Sequence, residues 1–186
     1  MTPTVDELRA ILAAYKQVKD ASWPKLHPAM AERAAHWPGA SAAELQAEIT
    51  NYLAESAAPG VNVRIFWKLG PKFLFGGCNQ LFARDAGFPD PATMVGLDDF
   101  DPRLPWRHQA AKYRADDESV FKSGHANLDI MERQQSSTGI TWVRAGKAPI
   151  RTATGVVGIL GMYEVLDAET GRKLFAERHN KKKPHA

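Results

Sequence analysis

Gly155-Val156-Val157-Gly158-Ile159-Leu160-Gly161-Met162-Tyr163 is the stretch on which the fold turns. In a strand, alternate residues point to opposite faces. Here both parities are apolar, so the run predicts a strand, about Val156 to Leu166, whose two faces are both covered. Its glycine spacing superficially matches a nucleotide-binding loop. However, it lacks the lysine and hydroxyl of a P-loop, and it lies inside a strand instead of between strand and helix.

Two further strands precede it, about Ala126 to Gln134 and Ile140 to Ile150. The connections Ser136-Ser137-Thr138-Gly139 and Thr152-Ala153-Thr154-Gly155 suit hairpins. Further back, Trp106 to Lys122 reads as the longest helix of this half, stopped at Ser123-Gly124. Before it come a proline-rich, acidic stretch and a short helix, Asn79 to Ala86. A hairpin, Val61 to Lys68 with Lys72 to Phe75, opens the region across Leu69-Gly70-Pro71. Five antiparallel strands with helices lying across one face make an α+β architecture.

The segment 1–60 has a helical texture and is expected to form an N-terminal extension. Thr4 with Glu7, and Ser41 with Glu44, have capping-box spacing. Each box leads into an apolar stripe: Leu8, Ile11, Leu12, Tyr15 and Val18 in the first, Leu45, Ile49 and Tyr52 in the second. A short helix is predicted between them, about Ala29 to His36. Something must cover the outer face of the Val156 strand. These helices, a second subunit, or both are the candidates.

The totals fit this picture. A chain of 186 residues with 44% hydrophobic and 24% charged residues holds one domain with an extension, and its net charge is +3. Much of the excess sits in Arg178-His179-Asn180-Lys181-Lys182-Lys183, inside a segment, 168–186, expected to be a basic flexible tail; nucleic acid is the less favoured partner for it. One cysteine, Cys78, excludes an internal disulfide and a multi-cysteine metal cluster. No apolar run approaches the ~20 residues needed to span a bilayer. A cytoplasmic protein with no membrane insertion is the expectation.

Three stretches resemble the PAS family. Phe66-Trp67-Lys68 followed by Gly77-Cys78-Asn79-Gln80-Leu81-Phe82-Ala83 is similar to its opening hairpin and first helix. Gly96-Leu97-Asp98-Asp99-Phe100-Asp101 with Pro105-Trp106 and Tyr113-Arg114-Ala115-Asp116-Asp117 resembles a pattern in one bacterial sensor branch of it, the PAS-4-like branch. Gly139 to Arg144, Lys147 to Ile150, and the Val156 strand resemble its closing strands. The likeness covers 61–167, which becomes the expected domain. Glu164-Val165-Leu166-Asp167 departs from the family's usual Asp-Ile-Thr ending. The chain after it is also too short for a kinase, cyclase or helix-turn-helix output domain.

The resemblance implies a cavity between the sheet and the helices around Phe100 to Tyr113. Strand alternation places Val143 and Lys147 on one face, and Trp106 and Tyr113 stand seven residues apart on one helix face. Phe100, Trp106, Tyr113, Val143, Lys147 and Ile159 are therefore the candidate ligand-binding residues. A buried Lys147 would need a ligand acceptor, or Asp99 or Asp101, as its partner. Asp99 or Asp101 could equally cap a helix, and the pair Asp116-Asp117, mid-helix, is expected to be exposed.

Among cofactors, a small metabolite or none is favoured. Non-covalent flavin stacked on Trp106 is the next choice. Haem is disfavoured, because His108 falls in the first turn of the long helix, where exposure is expected, and His125 sits just past its end; Cys78 lies away from the position of a flavin-adduct thiol. No catalytic or metal-binding residues are assigned. The leading expectation is a stand-alone sensory or regulatory protein that binds a small molecule and signals through a homodimer or a separate kinase, cyclase or regulator. A ligand-free protein–protein interaction module is the alternative, and a small enzyme using the same cavity is a second.

Overall fold

The computed structural model describes residues 2–27, 33 and 37–181. The helix expected over Ala29 to His36 lies outside the described residues apart from Arg33. Helices α1 (Val5–Ser22) and α2 (Ala42–Ser56) come first, followed by strands β1 (Val63–Leu69) and β2 (Leu74–Cys78). Helix α3 (Gln80–Asp85) and an irregular stretch with two 3-10 turns lead into α4 (Ala110–Ser123). Strands β3 (Asn127–Ser136), β4 (Gly139–Thr152) and β5 (Gly155–Leu166) follow, and α5 (Ala168–Lys181) closes the described chain.

The five strands form one antiparallel sheet in the order β2-β1-β5-β4-β3. The doubly apolar β5 therefore takes the central place. Residues 158–163 are buried without interruption, as coverage of both faces requires. Two of its glycines are there for close approach. A Cβ on Gly161 would stand 2.3 Å from the Phe66 ring, and one on Gly158 would stand 2.2 Å from the Lys68 carbonyl oxygen. The glycine pattern that superficially resembled a nucleotide loop lets β1 and its side chains lie tightly against β5.

The sheet separates two cores. On the outer face, Leu8, Ile11, Leu12 and Val18 of α1 and Leu45 and Ile49 of α2 pack on Val63, Ile65, Trp67, Ile150, Leu160 and Met162. Both capping boxes form as the spacing suggests. Each fully buried aliphatic side chain here contributes roughly 1.5–3 kcal/mol of transfer free energy. The N-terminal helices thus cover the outer face within their own chain. On the inner face, α3, α4 and the acidic stretch pack over Phe66, Phe75, Val143, Ala145, Ile159 and Tyr163.

Three elements differ from expectation. The second strand is Leu74–Cys78 instead of Lys72 to Phe75, because Lys72 and Phe73 belong to the turn after β1. The chain after Asp167 forms α5 instead of a flexible tail over its described part. Asp167 caps it by accepting from the Thr170 amide at 2.8 Å and hydroxyl at 2.6 Å. Gly171 lets the helix settle on the Trp142 indole, where a Cβ would come within 2.2 Å, and Arg178 pairs with Asp129. The longest inner helix starts at Ala110, because Trp106 precedes it and Arg107–Gln109 is a 3-10 turn. Among the described residues, no helix is long and apolar enough to cross a membrane.

Candidate functional site

Strand alternation turns Phe66 and Lys68 of β1, and Val143, Ala145 and Lys147 of β4, toward α3 and α4. With Phe82, Asp99, Trp106, Tyr113, Gln134 and Tyr163 they enclose a cavity of about 40 Å³. At its polar end lie two lysines and two aspartates, all buried: Lys68 is 1%, Asp99 2%, Asp117 0% and Lys147 4% exposed. Lys68 Nζ donates to Asp99 Oδ2 and to Asp117 Oδ2, each at 2.5 Å. Lys147 Nζ donates to Asp117 Oδ1 at 2.6 Å, and Trp106 Nε1 donates to Asp99 Oδ1 at 3.0 Å.

Every carboxylate oxygen of the pair is thereby satisfied and the four charges sum to zero. That arrangement is what buried ions require, since an uncompensated charge in a low-dielectric interior is very costly. Burial alone would push the Lys68 ammonium down, but the Asp117 and Asp99 carboxylates outweigh it and hold it above its ordinary value. Burial alone would raise the Asp117 carboxyl. The Lys68 and Lys147 ammoniums outweigh that and hold it below the usual carboxylate range. Both groups stay ionised at neutral pH.

Of the residues proposed from sequence, Trp106, Tyr113, Val143 and Lys147 line this cavity. Phe100 does not: it is 49% exposed, with its ring 5.3 Å from the Arg114 guanidinium, while its neighbour Asp99 turns inward. Ile159 is fully buried in the inner core but outside the cavity lining, pairing with Lys68 and Pro149 in the sheet. The partner of Lys147 is Asp117, not Asp99 or Asp101. Asp117 itself is fully buried, contrary to its expected exposure. Asp99 is likewise no helix cap, since it binds Lys68 and Trp106. His108 is exposed, as expected, and so is His125.

Sequence reasoning missed Lys68 and Asp117, though both leave a signal. Lys68 shares a strand parity with Phe66, so it must share its face. Asp117 follows Tyr113 by four and precedes Val120 by three, which sets it in the helix's buried stripe.

A second polar cluster lies on the outer side. His27 Nδ1 meets the Glu55 carboxylate, His27 Nε2 lies 3.2 Å from Ser56 Oγ, and Tyr15 Oη lies 3.4 Å from the same hydroxyl. The order serine–histidine–glutamate has the form of a nucleophile relay. Ser56, however, is 0% exposed, so a substrate has no access to its hydroxyl. The cluster instead clips the chain after α1 to the end of α2, beside the stacked Tyr15 and Tyr52 rings. Burial pulls the His27 imidazole below its ordinary value, with Glu55 opposing.

The cavity does not fit the cofactors of the fold as its residues stand. Pockets for drug-sized ligands measure roughly 300–1,000 Å³, far more than this one, so a three-ring flavin is not accommodated. Cys78 is outside the cavity lining, its Sγ lies 3.9 Å from the Pro91 carbonyl oxygen, and burial pushes the thiol up to about 12. Among the described residues, no histidine lines the cavity to ligate a haem iron.

No family model matches the chain, and no curated protein matches it. Solved structures do. The phage VqmA–DPO complex is 20% identical over 75% of this chain and 62% of that one, with a TM-score of 0.53. A light-oxygen-voltage domain studied with a flavin analogue is 16% identical over 72% of this chain and 99% of its own, with a TM-score of 0.52. The Vibrio cholerae VqmA dimer in the absence of target DNA is 20% identical over 56% and 47%, with a TM-score of 0.50. The chain thus spans 62% and 47% of the two VqmA chains. At these identities the likeness establishes the fold, which is PAS-like.

Proposed function

We propose that this chain is a PAS-type sensory or regulatory protein that takes a small molecule into the inner-face cavity. The observation that carries this reading is the Lys68–Asp99–Asp117–Lys147 cluster. A core that only needed filling would lose little or nothing with apolar residues of similar volume in their place. Here four buried charges are held instead: Lys68, Asp99 and Lys147 line the cavity beside aromatic and aliphatic walls, and Asp117 joins the two lysines from behind. Support comes also from the fold: one of the similar structures is a complex with DPO, and another was studied with a flavin analogue.

The motifs at Gly96–Asp101 and Pro105–Asp117 suggest the PAS-4-like sensor branch. The signal would leave through a homodimer or a separate output protein in the cytoplasm. With the outer sheet face already covered by α1 and α2, association falls to other surfaces. Catalysis by a lysine nucleophile is disfavoured, because Lys68 is held protonated by two carboxylates.

Denaturation of freshly purified protein with mass spectrometry of the supernatant tests the proposal. A colourless protein that releases a compact molecule, and is stabilised by adding it back, is the expected result. The small volume favours a second reading, a ligand-free interaction module with water in the cavity. That reading prevails if nothing is released and no small molecule shifts the melting temperature.

A further inference from the structure

Lys147 has three N–H donors and, among the described residues, gives one of them to a carboxylate. Lys68 gives two of its three. Both side chains line the cavity, so three ammonium N–H groups remain for whatever occupies it. The carboxylate oxygens that could accept a proton from an occupant are each already engaged. Tyr163 Oη, which donates to Asp85 and accepts from Gln134 at 3.4 Å, is committed as well. Each of those carboxylate oxygens already accepts one charged or indole donor, so the groups left without any partner at the polar end are the ammonium N–H donors.

Its charge is the second constraint. The two ammoniums and two carboxylates already cancel, and Glu132, the other carboxylate in the lining, pairs with Lys112. An anion would add an uncompensated negative charge to a buried, balanced site, and a cation an uncompensated positive one. Size is the third. By the measure on which one water needs roughly 10–15 Å³, about 40 Å³ holds about three waters. A single ring enters only if a wall moves. The weakest wall is β3 at Glu132, whose partner Lys112 is half-exposed, and exposed ion pairs hold weakly.

We infer that the cavity selects a compact uncharged molecule, of one ring or less, that presents hydrogen-bond acceptors on one edge, and that it discriminates against carboxylates and other anions. This rests on the ligand-binding reading above and names its ligand class. Primary amides and their carboxylates are matched probes, nearly identical in shape and different in charge. Dissociation constants of acetamide, acetate, benzamide and benzoate are to be measured by saturation-transfer NMR on the full chain at pH 7.

Each amide should bind at least about tenfold tighter than its carboxylate, given the cost of an uncompensated buried charge. Asp117→Asn leaves the site with one excess positive charge and should move the preference toward benzoate. Should that variant fail to fold, Asp117→Asn/Lys147→Met keeps the charge balanced and removes the Lys147 donors. It should keep a cooperative melt and lose amide binding by about tenfold or more. Carboxylates binding as tightly as amides would overturn the inference while leaving a ligand site in place. So would amide binding unchanged in the double variant. If none of the four probes binds, both the inference and the ligand-binding reading fall.

Discussion

The two faces of the sheet use opposite chemistry to solve the same problem. On the outer face, α1 and α2 lay aliphatic stripes on β1, β4 and β5, with a polar clip at His27, Glu55 and Ser56. On the inner face, α3 and α4 enclose a cavity with four buried charges at one end. The outer face is what a sheet needs in order to be covered. The inner face has features that coverage alone does not require, so function is sought there. The difference also says where substitutions should matter for stability only, and where they should matter for binding.

The largest effect should follow from breaking the inner cluster. Asp117→Asn removes the charge bridging Lys68 and Lys147 and should cost about 3–5 kcal/mol, read by urea denaturation. The charge-balanced double variant should recover much of that loss. If both variants melt like the parent, the cluster is not desolvated as described.

On the outer face, Leu45→Ala should cost about 2–5 kcal/mol through the cavity it leaves. Binding of an amide probe should stay within a factor of about two, because distant sites with no shared partners combine nearly independently. A large change in affinity would mean that the two faces are coupled through β4, where Arg144 reaches the Ser22 carbonyl oxygen on the outer side.

Acid should separate the faces more gently. His27 is depressed in the fold, so the unfolded chain takes up its proton first. The outer clip's contribution should therefore fall as pH drops below about 6.5. Asp117 is also depressed, and for a carboxylate this contributes stability above about 3.9 that is lost only below it. Lys68, raised in the fold, holds its contribution below about 10.4 and loses it as pH rises through its folded value. Denaturation of the parent and of His27→Gln between pH 7 and pH 5 checks this. The parent should lose stability that the variant does not, and equal slopes would contradict the assignment.

The smallest effect is expected at the rim. Lys112→Ala should change stability by about 1 kcal/mol or less, yet speed association of ring-sized probes by loosening Glu132. An unchanged association rate would place the entry elsewhere.

How much of this was legible follows the same division. The double-sided strand β5, both capping boxes and the alternation of Val143 and Lys147 on β4 are local patterns, and local patterns are what a sequence displays. The covering of β5 by α1 and α2 was one of two stated options, because an apolar stripe does not say which molecule it meets. Asp117 stayed hidden because a mid-helix acid next to Asp116 looks solvated until Lys68 and Lys147, far apart in sequence, are seen to converge on it. Phe100 misled because the chain turns at Asp98–Asp101, and adjacent side chains point opposite ways there. The Asp167–Thr170 spacing that caps α5 is local too, but a basic run such as Arg178-His179-Asn180-Lys181 is equally at home in a solvated tail.

The most direct test is the indole region of the ¹H–¹⁵N NMR spectrum, where the five tryptophans give five reporters assigned by single substitutions to phenylalanine. Trp106 donates to Asp99 beside the cavity, whereas Trp67 lies in the outer core and Trp142 against α5. On titration with benzamide, the Trp106 signal should move in a saturable way while those of Trp23, Trp37, Trp67 and Trp142 hold still. Saturable movement of the outer tryptophans with Trp106 unmoved would contradict a ligand site on the inner face.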